Sequence, residues 1–323
     1  MTRILASITA IAGLALLTGL TAYYGFASVL AALVSSQWGT ALVIVVRAAA
    51  LAAAGAGWWF LLTPIRRGPG VFIGLRFVRE GINTLLPAAG VGGDLIGARL
   101  LAQFEVALNL AIASVLIDIF IQVVCLLIYV LAGLGIMLNL VGTHRLITMT
   151  FVTLAIALPA VAGFFLTLNF GDFEPFVRWL VAFGEKRQWP AFNHVVNLGA
   201  RLQQIWRNRR GLAASLIVHL AAVFLGAAEV WVALAFMGYP VSPAEAIAIE
   251  SIGQGTRAAA FIVPGGVGVQ EGSLIAASAV FGVPAEIALA MALIKRVPDL
   301  VLGIPAVLAW QALESRRLLS ESK

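Results

Sequence analysis

Residues 106–138 read VALNLAIASVLIDIFIQVVCLLIYVLAGLGIML, a stretch with one formal charge, Asp118. About 20 apolar residues suffice for a helix to cross the hydrocarbon core of a bilayer. This run exceeds one straight crossing, so the helix is expected to tilt or to break near Gly133 and Gly135. Comparable runs lie at 4–30, 40–62, 146–170, 212–237 and 284–311, giving six expected spans. The whole chain agrees with that reading. Of 323 residues, 61% are hydrophobic and 11% charged, against roughly 45–50% and about 25% in soluble domains. Mean hydropathy is +1.01. A soluble fold would leave most of this apolar surface in water, which excludes a cytosolic enzyme, a secreted domain, a disordered chain and a nucleic-acid binder. The fold class is an all-α polytopic membrane protein.

Working outward, the apolar run after Arg3 continues to about Val34 without an Ala-x-Ala exit and reads as a retained first span, not a cleaved leader. Between 173 and 210 the composition changes. Arg178, Lys186, Arg187, Arg201, Arg207, Arg209 and Arg210 alternate with Trp179, Trp189 and Trp206, as expected of an interfacial amphipathic element lying on anionic lipid. Arg3, Arg66, Arg67, this cluster, Arg316 and Arg317 share one side when the spans alternate. The opposite loops, at 36–39, 139–145 and 238–243, carry only Arg145. The positive-inside rule therefore places both termini and the basic segment in the cytoplasm, at the inner membrane.

Two further apolar stretches, 71–103 and 244–281, are interrupted by Gly, Pro and charge. The first contains Pro87-Ala88-Ala89-Gly90-Val91-Gly92-Gly93-Asp94 and the second Pro264-Gly265-Gly266-Val267-Gly268-Val269-Gln270-Glu271. Each starts at proline, passes through small residues, and reaches a carboxylate seven positions on. Each also has an arginine before its proline, Arg79 and Arg257. Proline and clustered glycine break a helix, and broken backbone at membrane depth is tolerated only beside protein or a wet cavity. The half-helix that follows presents a partly positive N-terminus. Both stretches are thus expected to be re-entrant half-helix pairs entering from opposite faces, an arrangement found in transporters with a midplane site. The chain is expected to be a single membrane domain over 1–323. Half one covers 1–170, the basic segment 173–210, and half two 212–312.

Ionisable groups at membrane depth cost at least ~2.5–3.5 kcal/mol each on insertion scales, so they face a cavity or a partner. Asp94 and Glu271, at the two breaks, lead the candidates. Arg257 is placed to partner Glu250 or Glu271. Lys295 and Asp299 are spaced as an i, i+4 pair, which leaves Arg296 to bind an anionic group such as phosphate. Asp118, one turn before Gln122, suits either a pair with Arg47 or a proton relay. Glu229 has no basic neighbour in sequence and is a second relay candidate. His144, His194 and His219 have no metal-ligand spacing. The single cysteine, Cys125, excludes a disulfide framework. No G-x-S-x-G, H-E-x-x-H or C-x-x-C occurs, and Leu95 and Glu271 stand where a G-x-G-x-x-G would end. No catalytic residue, metal or cofactor is expected, and the chain is not read as an enzyme.

The element PGGVGVQEG at 264–272, preceded by the polar, arginine-containing Gly253-Gln254-Gly255-Thr256-Arg257, resembles the flippase-like membrane domain family. That family includes the transmembrane part of lysylphosphatidylglycerol synthases and a membrane protein associated with hopanoid biosynthesis. Asn83 and Pro87 before small residues are also similar, although Asp94 and then Arg99 follow where the family has a basic position. The resemblance spans roughly 4–311 and carries over to Pro264, Gly265, Gly266, Gly268, Glu271 and Arg257. No aminoacyl-transferase domain is expected after Lys323. The resemblance implies movement of a lipid, with hopanoids or anionic or aminoacylated phospholipids as cargo. Asp94, Arg257, Glu271 and Arg296 would contact the head group. An ion-coupled carrier of a polar solute and a scaffold for lipid-synthesis enzymes are the rival readings. Small-residue patches such as 48–57 could pack helices within one chain or between chains, which leaves a homo-oligomer open.

Overall fold

The computed structural model describes residues 26–62, 68–86, 92–141, 197–260 and 266–321, with Gly163 and Leu166 as isolated positions. Among these residues there are helices and turns and no strands. In chain order the helices are α1 Phe26–Ser35, α2 Trp38–Leu61, α3 Pro69–Leu85, α4 Gly92–Ala102, α5 Leu108–Val141, α6 Leu198–Arg207, α7 Arg209–Phe236, α8 Pro243–Ala259, α9 Val269–Ala279, α10 Ala285–Ile294 and α11 Val297–Glu321. Within the described residues α2, α5 and α7 are long and apolar enough to cross a membrane. They correspond to the expected spans at 40–62, 106–138 and 212–237. The expected span at 146–170 and most of that at 4–30 lie outside the described residues, as do residues 173–196 of the basic segment. The remainder of that segment begins as α6, which buries Leu198, Leu202, Ile205 and Trp206 and turns Gln203 and Arg207 outward.

The structure decides one open alternative and corrects one expectation. Of tilt or break in residues 106–138, the break does not occur: α5 runs uninterrupted through Gly133 and Gly135. Gly133 serves packing instead. A Cβ there would lie 1.9 Å from Ser251 Oγ on α8, so the glycine lets the two helices touch. The expected span at 284–311 is two helices, not one. Pro298, second in α11, has no N–H for the Ile294 carbonyl and its ring would clash with it, so the helix stops at Ile294 and restarts at Val297.

The two interrupted stretches fold as matched helix pairs. Both α3 and α8 have 17 residues, each opening with a proline at its first position, and both α4 and α9 have 11. The start of α8 is fixed by a capping box, in which Ser242 N donates to Glu245 Oε2 at 2.6 Å and Glu245 N to Ser242 Oγ at 3.2 Å. Their packing partners match as well. Helix α2 packs along α3, as α7 does along α8, and α4 packs on α5 as α9 does on α10. Across the molecule α3 leans on α11 and α8 on α5, while α2 and α7 run against each other. That exchange of partners is what a two-fold relation between the halves requires. Two apolar cores result, one around α3, α4 and the first part of α5, the other around α8, α9 and α10. Along α2 and α7 the cores are separated by Arg47 and by His219, Gly226 and Glu229.

Candidate functional site

The polar layer begins at Arg79 on α3, whose side chain is 1% exposed. Its Nε and Nη2 donate to Asp94 Oδ1 at 2.9 and 2.6 Å, and its Nη1 to Asp118 Oδ2 at 2.8 Å. The guanidinium also stacks 4.7 Å from the centre of the Trp58 ring. Asp94, third in α4, takes a further bond from Asn83 Nδ2 at 3.2 Å, while Asn83 Oδ1 accepts from Gly93 N at 2.8 Å. A Cβ on Gly93 would lie 2.1 Å from the Arg79 carbonyl oxygen. Glycine is therefore required where α4 starts against α3. Asp118 is fully buried and also receives Gln122 Nε2 at 2.8 Å, with Arg76 Nη1 at 3.7 Å and His219 Nε2 at 3.2 Å.

A second cluster occupies the other half. Lys295 Nζ, 4% exposed, lies 2.8 Å from Glu229 Oε2, 3.1 Å from Glu250 Oε1 and 3.2 Å from the Gly226 carbonyl. Arg47 Nη2 joins Glu229 Oε2 at 3.2 Å. At two positions the clusters correspond with charge reversed. Asp118 is the eleventh residue of α5 and Lys295 the eleventh counted from the start of α10. Arg76 is the eighth of α3 and Glu250 the eighth of α8. Elsewhere the match differs: Arg79 has Gly253 as its counterpart, and Asp94 and Glu271, both third in their helices, share one sign. Buried ions of this kind persist only when paired, and each half supplies such a set.

At the second break, Gly266 and Gly268 take φ of +63° and +82°, a left-handed turn open to glycine. The turn lets Gly268 N donate to Glu271 Oε2 at 2.6 Å, so this carboxylate caps its own helix. Its other oxygen accepts from Arg296 Nε at 2.7 Å. Pro87, Pro264 and Gly265 lie outside the described residues.

Between the halves is a cavity of about 370 Å³, within the size range of small-molecule sites. Its lining is mixed along each helix: Arg47, Arg76, Glu80, Asn83, Asp94, Gln122, His219, Gln254 and Arg257 alternate with Leu51, Ile119, Val123, Leu126 and Val223. Glu80 Oε1 and Arg257 Nη2 face each other at 3.8 Å, joining α3 to α8. Arg47 Nε and Arg76 Nε are buried and have no acceptor.

Of the candidates named from sequence, Asp94 and Arg257 line this cavity. Asp118 stands behind it, through His219 and Arg79, and Glu229 behind Arg47. Glu271 and Arg296 border a separate recess of about 10 Å³, room for one water. Several expected pairings are replaced. Arg257 meets Glu80, because Glu250 is taken by Lys295 and Glu271 by Arg296. Lys295 and Asp299 do not pair, since the break before Pro298 removes them from a common helix face. Asp299 lies instead 3.7 Å from Arg296 Nη1. Arg296 is engaged by Glu271 and, at 3.3 Å, by Gln270 Oε1. Arg47 goes to Glu229 and Asp118 to Arg79. Arg76, Glu80 and His219 were not singled out, although Arg76, Arg79, Glu80 and Asn83 at i, i+3, i+4 and i+7 mark one polar face of α3.

Over residues 4–306 the chain matches the family described as the lysylphosphatidylglycerol synthase TM region. It therefore belongs to that family of membrane proteins, which is associated with lipid modification or transport. No curated protein and no solved structure matches it.

Proposed function

We propose that the protein moves a lipid with an anionic head group between the leaflets of the bacterial inner membrane. The observation that carries this is a cavity lined by both guanidinium and apolar side chains. The guanidinium groups of Arg47, Arg76 and Arg257 suit a phosphate, and Leu51, Ile119, Val123, Leu126 and Val223 suit the start of an acyl chain. Three guanidinium groups favour a phosphorylated or aminoacylated phospholipid over a hopanoid, whose neutral head offers weaker acceptors. In this reading α3–α4 and α8–α9 are re-entrant pairs entering from opposite faces, both termini are cytoplasmic, and the basic segment at 173–210 rests on anionic lipid. The protein acts as a carrier, with no covalent chemistry of its own. A closed carrier for a small polar solute fits the apolar lining less well.

The test is leaflet exchange of labelled lipids in proteoliposomes, with phosphatidylglycerol, hopanoid and neutral-lipid probes. Exchange selective for the anionic probe, reduced at least tenfold by Arg76→Gln with Arg257→Gln, is the expected result. Equal exchange of all three probes would remove the head-group assignment, and no exchange by folded protein would remove lipid transport.

A further inference from the structure

His219, on α7, is 2% exposed and lines the cavity. Its Nδ1 lies 2.9 Å from the Ser215 carbonyl oxygen and 3.3 Å from Ser215 Oγ. A carbonyl only accepts, so at the shorter distance Nδ1 carries a hydrogen; a lone pair there would be pressed against the oxygen. On the other side Nε2 lies 3.2 Å from Asp118 Oδ1, an ion-pair distance without hydrogen-bond alignment, and neither buried atom has a hydrogen-bond partner. With Nδ1 already protonated, a neutral ring beside an ionised carboxylate would set lone pair against lone pair in a buried site. One more proton, on Nε2 or on Oδ1, relieves that contact. A Cβ at Gly57 of α2 would lie 2.3 Å from His219 Nδ1, so the ring is held in this place by a glycine that makes room for it.

We infer that the His219–Asp118 pair is a proton-binding site that couples transport to a proton gradient, an inference resting on the lipid-transport reading above. The proton arrives from water on one side, resides between Nε2 and Oδ1, and leaves to water on the other side; no other bond changes. The site is connected to the first break. Asp118 Oδ2 holds Arg79, Arg79 holds Asp94, Asp94 holds Asn83, and Asn83 Oδ1 holds Gly93 N at the start of α4. Loss of the proton releases Asp118 Oδ1 from the ring and loosens a chain that ends on the broken helix.

The charges set the direction of coupling. Around His219 stand Asp118 on α5, Arg76, Arg79 and Glu80 on α3, and Asp94 on α4. Arg47 on α2 and Arg257 on α8 line the same cavity, and Glu229, Glu250 and Lys295 on α7, α8 and α10 lie beyond Gly226. Over all the groups named, the charge is one positive with the proton on the His219–Asp118 pair and zero without it, so the proton makes the cavity more favourable to an anionic head group. Proton and anionic lipid therefore bind together, each favouring the other by the same factor.

The experiment uses proteoliposomes of the full chain with a labelled phosphatidylglycerol probe and an imposed pH difference. One proton per lipid supports a leaflet asymmetry of up to about tenfold per pH unit, reversing with the sign of the gradient. Exchange that equilibrates the leaflets regardless of the gradient overturns the coupling and leaves the transport reading standing; no exchange at any pH overturns both. A second measurement needs no altered cavity. With His144→Gln and His194→Gln, His219 is the sole histidine, and its ring nitrogens are observed by NMR in lipid nanodiscs. A ring that gains or loses one proton as the pH is varied is the expected result. A ring in one unchanging state throughout overturns the proton site.

Discussion

Arg79 ties α3 to α4, α5 and α2 through a single side chain. It sits between two carboxylates from different helices, Asp94 at 2.6 Å and Asp118 at 2.8 Å, with Trp58 against its face. Removing one member of a buried ionic set strands the others, at a typical loss of about 3–5 kcal/mol. Arg79→Gln should lower the thermal midpoint of unfolding in detergent accordingly, and Asp118→Asn added to it should recover part of that loss by removing the stranded charge. An unchanged midpoint for Arg79→Gln would mean that Asp118 finds its counter-charge elsewhere, in Arg76 or His219. Asp118 is legible in the sequence as an intramembrane charge, with Arg47 as its expected partner, whereas Arg79 is legible only as the arginine before the first break. Arg79 and Asp118 are 39 positions apart, on α3 and α5. The placement of α7 sends Arg47 to Glu229. Sequence spacing resolves pairs within one helix, such as Arg76 with Glu80; it cannot rank partners across helices.

At the scale of elements the breaks were readable because they depend on local chemistry. Proline and glycine runs end helices wherever they lie, and α3–α4 and α8–α9 fall where 71–103 and 244–281 were expected. The same principle explains why α5 continues and the last expected span divides. Isolated glycines cost a helix only about 1 kcal/mol each, so Gly133 and Gly135 leave α5 whole, whereas Pro298 interrupts an otherwise apolar run. Gly133 and Gly135 make a direct comparison. Gly133→Ala places a methyl group against Ser251 Oγ and should destabilise by roughly 1–3 kcal/mol, and Ser251→Gly in the same chain should restore much of it. Gly135 has open space around its Cβ position, so Gly135→Ala should be neutral or stabilise by up to about 1 kcal/mol. Thermal unfolding of the three variants checks this, and equal effects at both positions would mean that close helix contact is not what Gly133 provides.

At the scale of the molecule, each half contributes a broken helix pair, a long helix that supports the other half's pair, and a buried charge cluster. On the transport reading proposed above, such a site would change access when one half rocks against the other, as in transporters made of repeats. Glu80 and Arg257 are where that motion would be felt, since they face each other from α3 and α8 across the cavity. Cys125 is fully buried, so a pair of engineered thiols can be modified with little background. With Glu80→Cys and Arg257→Cys joined by a short, reducible bifunctional thiol reagent, leaflet exchange should stop and then return to the uncross-linked variant's rate on reduction. The uncross-linked variant is the reference because both substitutions also remove lining charges. Exchange that continues with the linker in place would mean that α3 and α8 keep their separation during transport. The head group would then pass along a fixed groove, and the two-fold correspondence of the halves would be a record of how the fold is built, with no part in how it moves.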